Sequence, residues 1–184
     1  GLPERGFVFA SFNNNYKTGP EIFDIWMRLL RAVEGSVLWL LEDNDYAAGN
    51  LRREARARSV APERLIFAPR KKPHEHLARQ PLADLFLDTL PYNAHTTASD
   101  ALWMGLPLLT CPGNTFAARV AASLLNAIGL PELVTASLGE YEQLALKLAR
   151  EPDLLAAVRA KLSANRDTTP LFDTGRFTRD LEAA

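Results

Sequence analysis

The chain has 184 residues, 47% of them hydrophobic and 23% charged. That length supports one compact domain with a sizeable core, and the composition excludes a largely disordered chain. With 21 basic and 22 acidic residues the net charge is -1, so nothing points to a nucleic-acid footprint or a basic membrane-binding surface.

Cys111 is the single cysteine, which excludes an internal disulfide framework and fits a reducing compartment such as the cytoplasm. No apolar run reaches about 18 residues, so no membrane-spanning helix is expected. No signal peptide is recognised, and a start at Gly1 implies a piece of a longer protein.

The first element is Gly6 to Phe12, a short apolar run with polar neighbours, which suits a buried strand. After the turn-prone Asn13-Asn14-Asn15-Tyr16-Lys17, Pro20 opens a helix. Ile22, Phe23, Ile25, Trp26, Leu29, Leu30 and Val33 form its apolar face, and Gly35 stops it. Ser36 to Leu41 is a second buried strand. Glu42 to Asn50 reads as an acidic loop, and Leu51 to Val60 as a charged, solvated helix. Leu65 to Phe67 is a third strand. A basic loop, Arg70-Lys71-Lys72-Pro73, leads to a short helix with His74, His76 and Arg79.

Ala83 to Leu87 is the fourth strand, and a turn carries it to a helix from Thr97 to Met104 that ends at Gly105. Pro107 to Thr110 is the fifth strand. A helix over roughly Thr115 to Ile128, a weak sixth strand at Glu132 to Val134, helices over 138–150 and 152–165, and a final helix in the tail complete the chain. Trp26, Trp39 and Trp103 are expected in the core, and Cys111 as a small packed residue.

Strands that alternate with helices, and that are apolar on both faces, predict an α/β fold. The expected architecture is a Rossmann-like parallel sheet with helices on both faces, spanning 1–184 as one domain. Ligands of such sheets lie beyond the carboxyl ends of the strands. The loops there carry Asn14 and Lys17, then Lys71, Lys72, His76 and Arg79, then His95, Thr96, Thr97 and Asp100, and lastly Asn114 and Thr115. Thr96 and Thr97 fall where a helix leaves its first N–H groups free, which is an anion site. An anionic ligand with a sugar, a nucleotide above all, fits loops that span several strands.

Each residue also has a plainer reading. Lys17, His76 and Arg79 can be surface groups, the threonines helix caps, His95 a cap or a solvent-facing ring, and Asp100 a first-turn carboxylate. There is no G-x-G-x-x-G after the first strand, no P-loop and no G-x-S-x-G elbow. His74 and His76 share no helix face, and no Asp-x-Asp metal motif is recognised.

FNNNYK (12–17), SVLWLL (36–41), EHLAR (75–79), LADLFLDTLPYNAHTTASDALWMGLPLLT (82–110), PGNTFAARVAASLL (112–125) and TPLF (169–172) together resemble the C-terminal catalytic half of the O-linked N-acetylglucosamine transferases. The similarity is greatest to the bacterial members linked to TPR repeats, and it runs along essentially the whole chain. It implies the C-terminal half of a GT-B fold, and transfer of GlcNAc from UDP-GlcNAc to protein Ser or Thr, inverting and independent of a metal or other cofactor.

Carried over, Lys17 is catalytic, contacting the diphosphate and stabilising the departing nucleotide, with Asn14 assisting. His95, Thr96 and Thr97 hold the diphosphate, and Asp100 binds the ribose. His76 and Arg79 line the uracil and ribose, and backbone near Arg70 and Lys71 reads the base edge. Where the family's animal members have a lysine before the equivalent of His76 this chain has Pro73, with Lys72 one residue earlier.

The resemblance further implies that the base candidates and acceptor-recruiting repeats lie N-terminal to this region. The partners expected are thus a UDP-sugar and, through that region, a protein acceptor. Alone, the chain is expected to bind UDP weakly and turn over nothing. Rival readings are a protein O-fucosyltransferase using GDP-fucose, a UDP-GlcNAc epimerase, and a non-catalytic nucleotide-binding or scaffold module.

Overall fold

The computed structural model describes residues 1–184. Five parallel strands form one sheet: β1 (Val8–Ser11), β2 (Val37–Leu41), β3 (Leu65–Ala68), β4 (Leu85–Leu87) and β5 (Leu108–Leu109), in the order β3-β2-β1-β4-β5. The register pairs Phe9 with Leu38 and Leu85, Leu38 with Leu65, and Phe86 with Leu108. Successive strand residues point to opposite faces. Every residue of β1, β2 and β4 is buried, so both faces of the central strands are covered.

The helices are α1 (Pro20–Ala32), α2 (Asp45–Ala57), α3 (Pro73–Arg79), α4 (Thr96–Trp103), α5 (Val120–Ala127), α6 (Leu138–Arg150), α7 (Pro152–Arg166) and α8 (Thr174–Glu182). In α1, Pro20 is pre-set for the first turn, and Ile22, Phe23, Trp26, Leu29 and Leu30 bury one apolar stripe. That helix packs on α6, which packs on α7, and α4 packs on α5 and α7. Between them runs one continuous apolar cluster from Val8 to Leu162. Gly6 has a backbone reason to lack a side chain: at φ +118°, a Cβ there would lie 2.3 Å from the Gly35 carbonyl oxygen.

Four expectations need correction. Helix α2 begins at Asp45, inside the stretch read as an acidic loop. Asn44 makes that start possible, because its side chain accepts the Ala47 N–H at 2.9 Å. The sixth strand is only a single bridge, Thr110 to Val134, after a 3-10 turn at Pro131–Leu133. The helix expected from Thr115 opens with a separate 3-10 turn, Phe116–Ala118, and α5 proper starts at Val120. Trp103 is 45% exposed, whereas Trp26 and Trp39 are buried. Its ring meets Phe172 and the Arg166 guanidinium at the surface.

Candidate functional site

A cavity of about 700 Å³ opens at the carboxyl ends of the strands. The segment after β1 supplies Asn13, Asn14, Tyr16 and Lys17, and the segment after β3 supplies Arg70, Lys71, Pro73, His76 and Arg79. The turn after β4 and helix α4 supply Tyr92, His95, Thr96, Thr97 and Asp100. Four cationic side chains, Lys17, Arg70, Lys71 and Arg79, thus face one carboxylate, Asp100. Arg70 is partly neutralised by Asp43 at 2.6 Å, and Lys71 lies 3.7 Å from Glu75. Lys17 has no such partner in contact, so the net field favours an anion.

Lys17 is held by two contacts. Its Nζ donates to the Asn93 carbonyl at 3.0 Å and stands 3.8 Å from the centroid of the Tyr92 ring. Burial lowers the ammonium below the ordinary lysine value, and the charge of Asp88 pulls it back up. Helix α4 lies across from it. Its first helical bonds are made by Ala98 and Ser99 to the His95 carbonyl, so the N–H groups of Thr96 and Thr97 have no backbone acceptor and remain free for an anion. The Thr97 hydroxyl donates to Asn13 Oδ1 at 2.7 Å. Asp100 is one turn further along, and burial raises its carboxyl above the ordinary value.

The other end of the cavity is built on α3. Arg79 lies against the Phe12 and Trp39 rings and donates to the Pro69 carbonyl at 2.8 Å. It also meets His76 Nδ1, while the Gln80 side-chain amide stands 3.1 Å from His76 Nε2. Burial and the Arg79 charge lower the His76 pKa, so the ring is neutral at pH 7. With Nδ1 accepting, Nε2 carries the hydrogen and needs an acceptor. The Gln80 oxygen, otherwise without a partner, fills that role once the amide is turned over.

Of the residues singled out in the sequence, Asn14, Lys17, Arg70, Lys71, His76, Arg79, His95, Thr96, Thr97 and Asp100 come together in this cavity. Lys72 does not line it. It is the N-cap residue of α3, and its backbone N–H donates to the Glu75 carboxylate at 3.3 Å. Asn114 borders a separate cavity beside Phe116, and the Thr115 hydroxyl caps the local 3-10 turn. Cys111 is buried, and burial raises its thiol.

The sequence does contain an Asp-x-Asp triplet, Asp43-Asn44-Asp45, contrary to the reading above. The triplet is used structurally: Asp43 pairs with Arg70, Asn44 caps α2 and Asp45 opens it. Sequence reasoning also missed Asn13, Tyr16 and Tyr92. The two tyrosines flank the lysine, with ring centroids 6.4 Å apart, and Tyr92 also stands 5.1 Å from His95. Their available signal was adjacency, since Tyr16 precedes Lys17 and Tyr92 lies in the turn before the threonines.

A parallel α/β sheet with a cationic cavity and a free helix N-terminus beyond its carboxyl edge defines an α/β unit with a site suited to an anion. Comparison with known proteins makes this more specific: residues 1–181 match Glycosyl transferase family 41, and the chain belongs to that family. It is 44% identical over 99% of its length to an Arabidopsis thaliana protein named "Probable UDP-N-acetylglucosamine--peptide N-acetylglucosaminyltransferase SEC". It is 39% identical over 98% of its length to a Caenorhabditis elegans UDP-N-acetylglucosamine--peptide N-acetylglucosaminyltransferase. Among solved structures, a Thermobaculum terrenum O-GlcNAc transferase mutant superposes over the whole chain with a TM-score of 0.91 at 36% identity. The chain spans 19% and 16% of the two relatives' lengths and 36% of the bacterial protein's.

Proposed function

We propose that this chain is the donor-binding part of an enzyme that transfers GlcNAc from UDP-GlcNAc to Ser or Thr hydroxyls of proteins. The observation that carries the reading is the single cavity in which Lys17, the free N–H groups of Thr96 and Thr97, and Asp100 face one another. Family membership and the names of the relatives support it. In this reading the diphosphate lies between Lys17 and the start of α4, the ribose hydroxyls reach Asp100, and the uracil lies toward His76, Arg79 and the 70–73 loop. Lys72, outside the cavity wall, takes no direct part.

The acceptor hydroxyl oxygen attacks the anomeric carbon with inversion, and the bond from that carbon to the β-phosphate oxygen breaks. The electron pair stays on UDP, and the hydroxyl proton passes to a base that is not among the residues assigned here. Negative charge on the departing diphosphate grows in the transition state. Lys17 and the α4 dipole, already in position, stabilise that growing charge more than the ground state, and so lower the barrier. No metal or cofactor enters this scheme. We place the enzyme in the cytoplasm, in keeping with its single free cysteine and with the lack of any helix long and apolar enough to cross a membrane.

Calorimetric titration of the intact protein with UDP and with GDP tests the reading. UDP is expected to bind at least about tenfold more tightly, the difference made by one or two base-edge hydrogen bonds. Tighter GDP binding would move the assignment to a GDP-sugar donor.

A further inference from the structure

Asp88 directly follows β4, is 2% exposed, and is bonded to Asn13, a residue of the cavity wall. It touches no cation. Its oxygens accept the N–H groups of Thr89 at 2.8 Å and Ala94 at 2.6 Å, the Asn13 amide at 3.4 Å and the Thr110 hydroxyl at 2.6 Å. An apolar residue here would leave the Thr89, Ala94 and Thr110 donors buried without this acceptor, so the carboxylate fixes where they stand.

Two routes lead from it to the cavity. The bonds to Thr89 and Ala94 clamp both ends of the turn that holds the Asn93 carbonyl, and that carbonyl holds Lys17 Nζ at 3.0 Å. The Asn13 side chain is anchored by Asp88 and by Thr89 Oγ1 at 2.9 Å, and its own oxygen accepts from the Thr97 hydroxyl. Resting on the donor-binding reading above, we propose that Asp88 is a positioning residue for the diphosphate. It aims Lys17 through the 89–94 turn and Thr97 through Asn13, and touches no ligand itself.

The test compares two ligands in the intact protein by calorimetry: UDP, which has the diphosphate, and uridine, which lacks it. Asp88→Ala is expected to weaken UDP by about tenfold or more while uridine stays within about twofold of wild type. Asp88→Asn keeps an oxygen for the backbone donors and can donate to the Thr110 oxygen, so it is expected to restore most of the UDP affinity. A purely structural role would weaken both ligands alike. That result, an unchanged UDP affinity in Asp88→Ala, or an Asp88→Asn variant as weak as Asp88→Ala would each overturn the proposal. If Asp88→Ala fails to fold, Asn13→Ala decides, read in the wild-type and Thr97→Val backgrounds: Asn13 also lines the cavity, and only a loss that disappears without the Thr97 hydroxyl runs through the Thr97 route. A selective UDP loss of about threefold to tenfold that disappears in Thr97→Val supports the proposal, and wild-type affinity or a loss that persists there overturns it. Wild-type protein that binds uridine and UDP equally would break the donor-site reading instead.

Discussion

Two aspartates bracket β4, and they live in opposite worlds. Asp84, at the amino end, accepts the Val8 N–H at 2.8 Å and pairs with Arg159 at 3.0 Å, where both side chains are partly exposed. At the amino end of β3, on the same edge of the sheet, Arg64 donates to the Ser36 and Val33 carbonyls, tying β3 to the segment that leads into β2. There the cations are spent on the protein's own acceptors. Asp88, at the carboxyl end, is fully buried and meets only uncharged donors, while Lys17 and the first amides of α4 above it keep donor capacity in reserve. One end of the sheet is finished by its own side chains, and the other keeps free donors, which a ligand completes in the reading proposed above.

The largest effect expected from breaking this contrast is at Lys17. Lys17→Ala is expected to lower the transfer rate of the intact protein by about a hundredfold to a thousandfold, as loss of one preorganised charge donor does. Its circular dichroism is expected to match wild type, and an unchanged rate would remove Lys17 from the mechanism. Next is Asp100. Wild type is expected to prefer UDP over 2′-deoxy-UDP by about tenfold, and Asp100→Ala to bind both equally. Competition binding measures this.

A third expectation concerns pH. Burial pushes the Asp88 carboxyl up to about 7 from the ordinary 3.8, against the pull of its four donors. Between those values the native state binds more protons than the unfolded chain. The group's contribution to stability therefore declines as pH rises from about 4 to about 7, and is level above that. His76 runs the other way: its folded pKa is lowered, so its contribution is lost as pH falls below 6.5. In a comparison of Asp88→Asn with wild type the histidine is common to both. The variant's thermal midpoint is expected to gain on wild type from pH 5 to 7 and then keep a constant offset from it, and a gap independent of pH would refute the assignment. The smallest effect is at the amino end: Arg159→Ala is expected to cost about 1 kcal/mol in denaturant unfolding and to leave UDP affinity unchanged.

Elements that announce themselves by apolar periodicity were legible in the sequence. The β1 and β2 runs and the stripe of α1 fall where the residues predict them, because burial of those side chains decides the local structure. The α2 start was misread because Asp45, Tyr46 and Gly49 carry no apolar stripe, and one side-chain cap at Asn44 sets the boundary. Trp103 was placed in the core on residue type alone, although α4 turns it toward Phe172 at the surface.

Within the site, the residues visible in the sequence were the charged groups and the helix-start threonines, whose chemistry is local. Asn13 and Asp88 were invisible for the opposite reason. Their importance lies in partners about 75 residues apart in the chain, and an aspartate after a strand reads as an ordinary turn residue until its burial is known. Lys72 shows the converse: a cation at the right distance along the chain ends on the outside of a helix start.

The strand order has a mechanical consequence. Lys17 hangs from the segment after β1, and α4 from the segment after β4, and those two strands are hydrogen-bonded neighbours at the centre of the sheet. The two grips thus spring from strands that lie about 4.8 Å apart at the sheet itself. The 70–79 segment is attached instead to β3, an edge strand, through an exposed loop. In the donor-binding reading proposed above, the phosphates would be gripped from two adjacent central strands and the base from an edge strand, so the base side is expected to let go first.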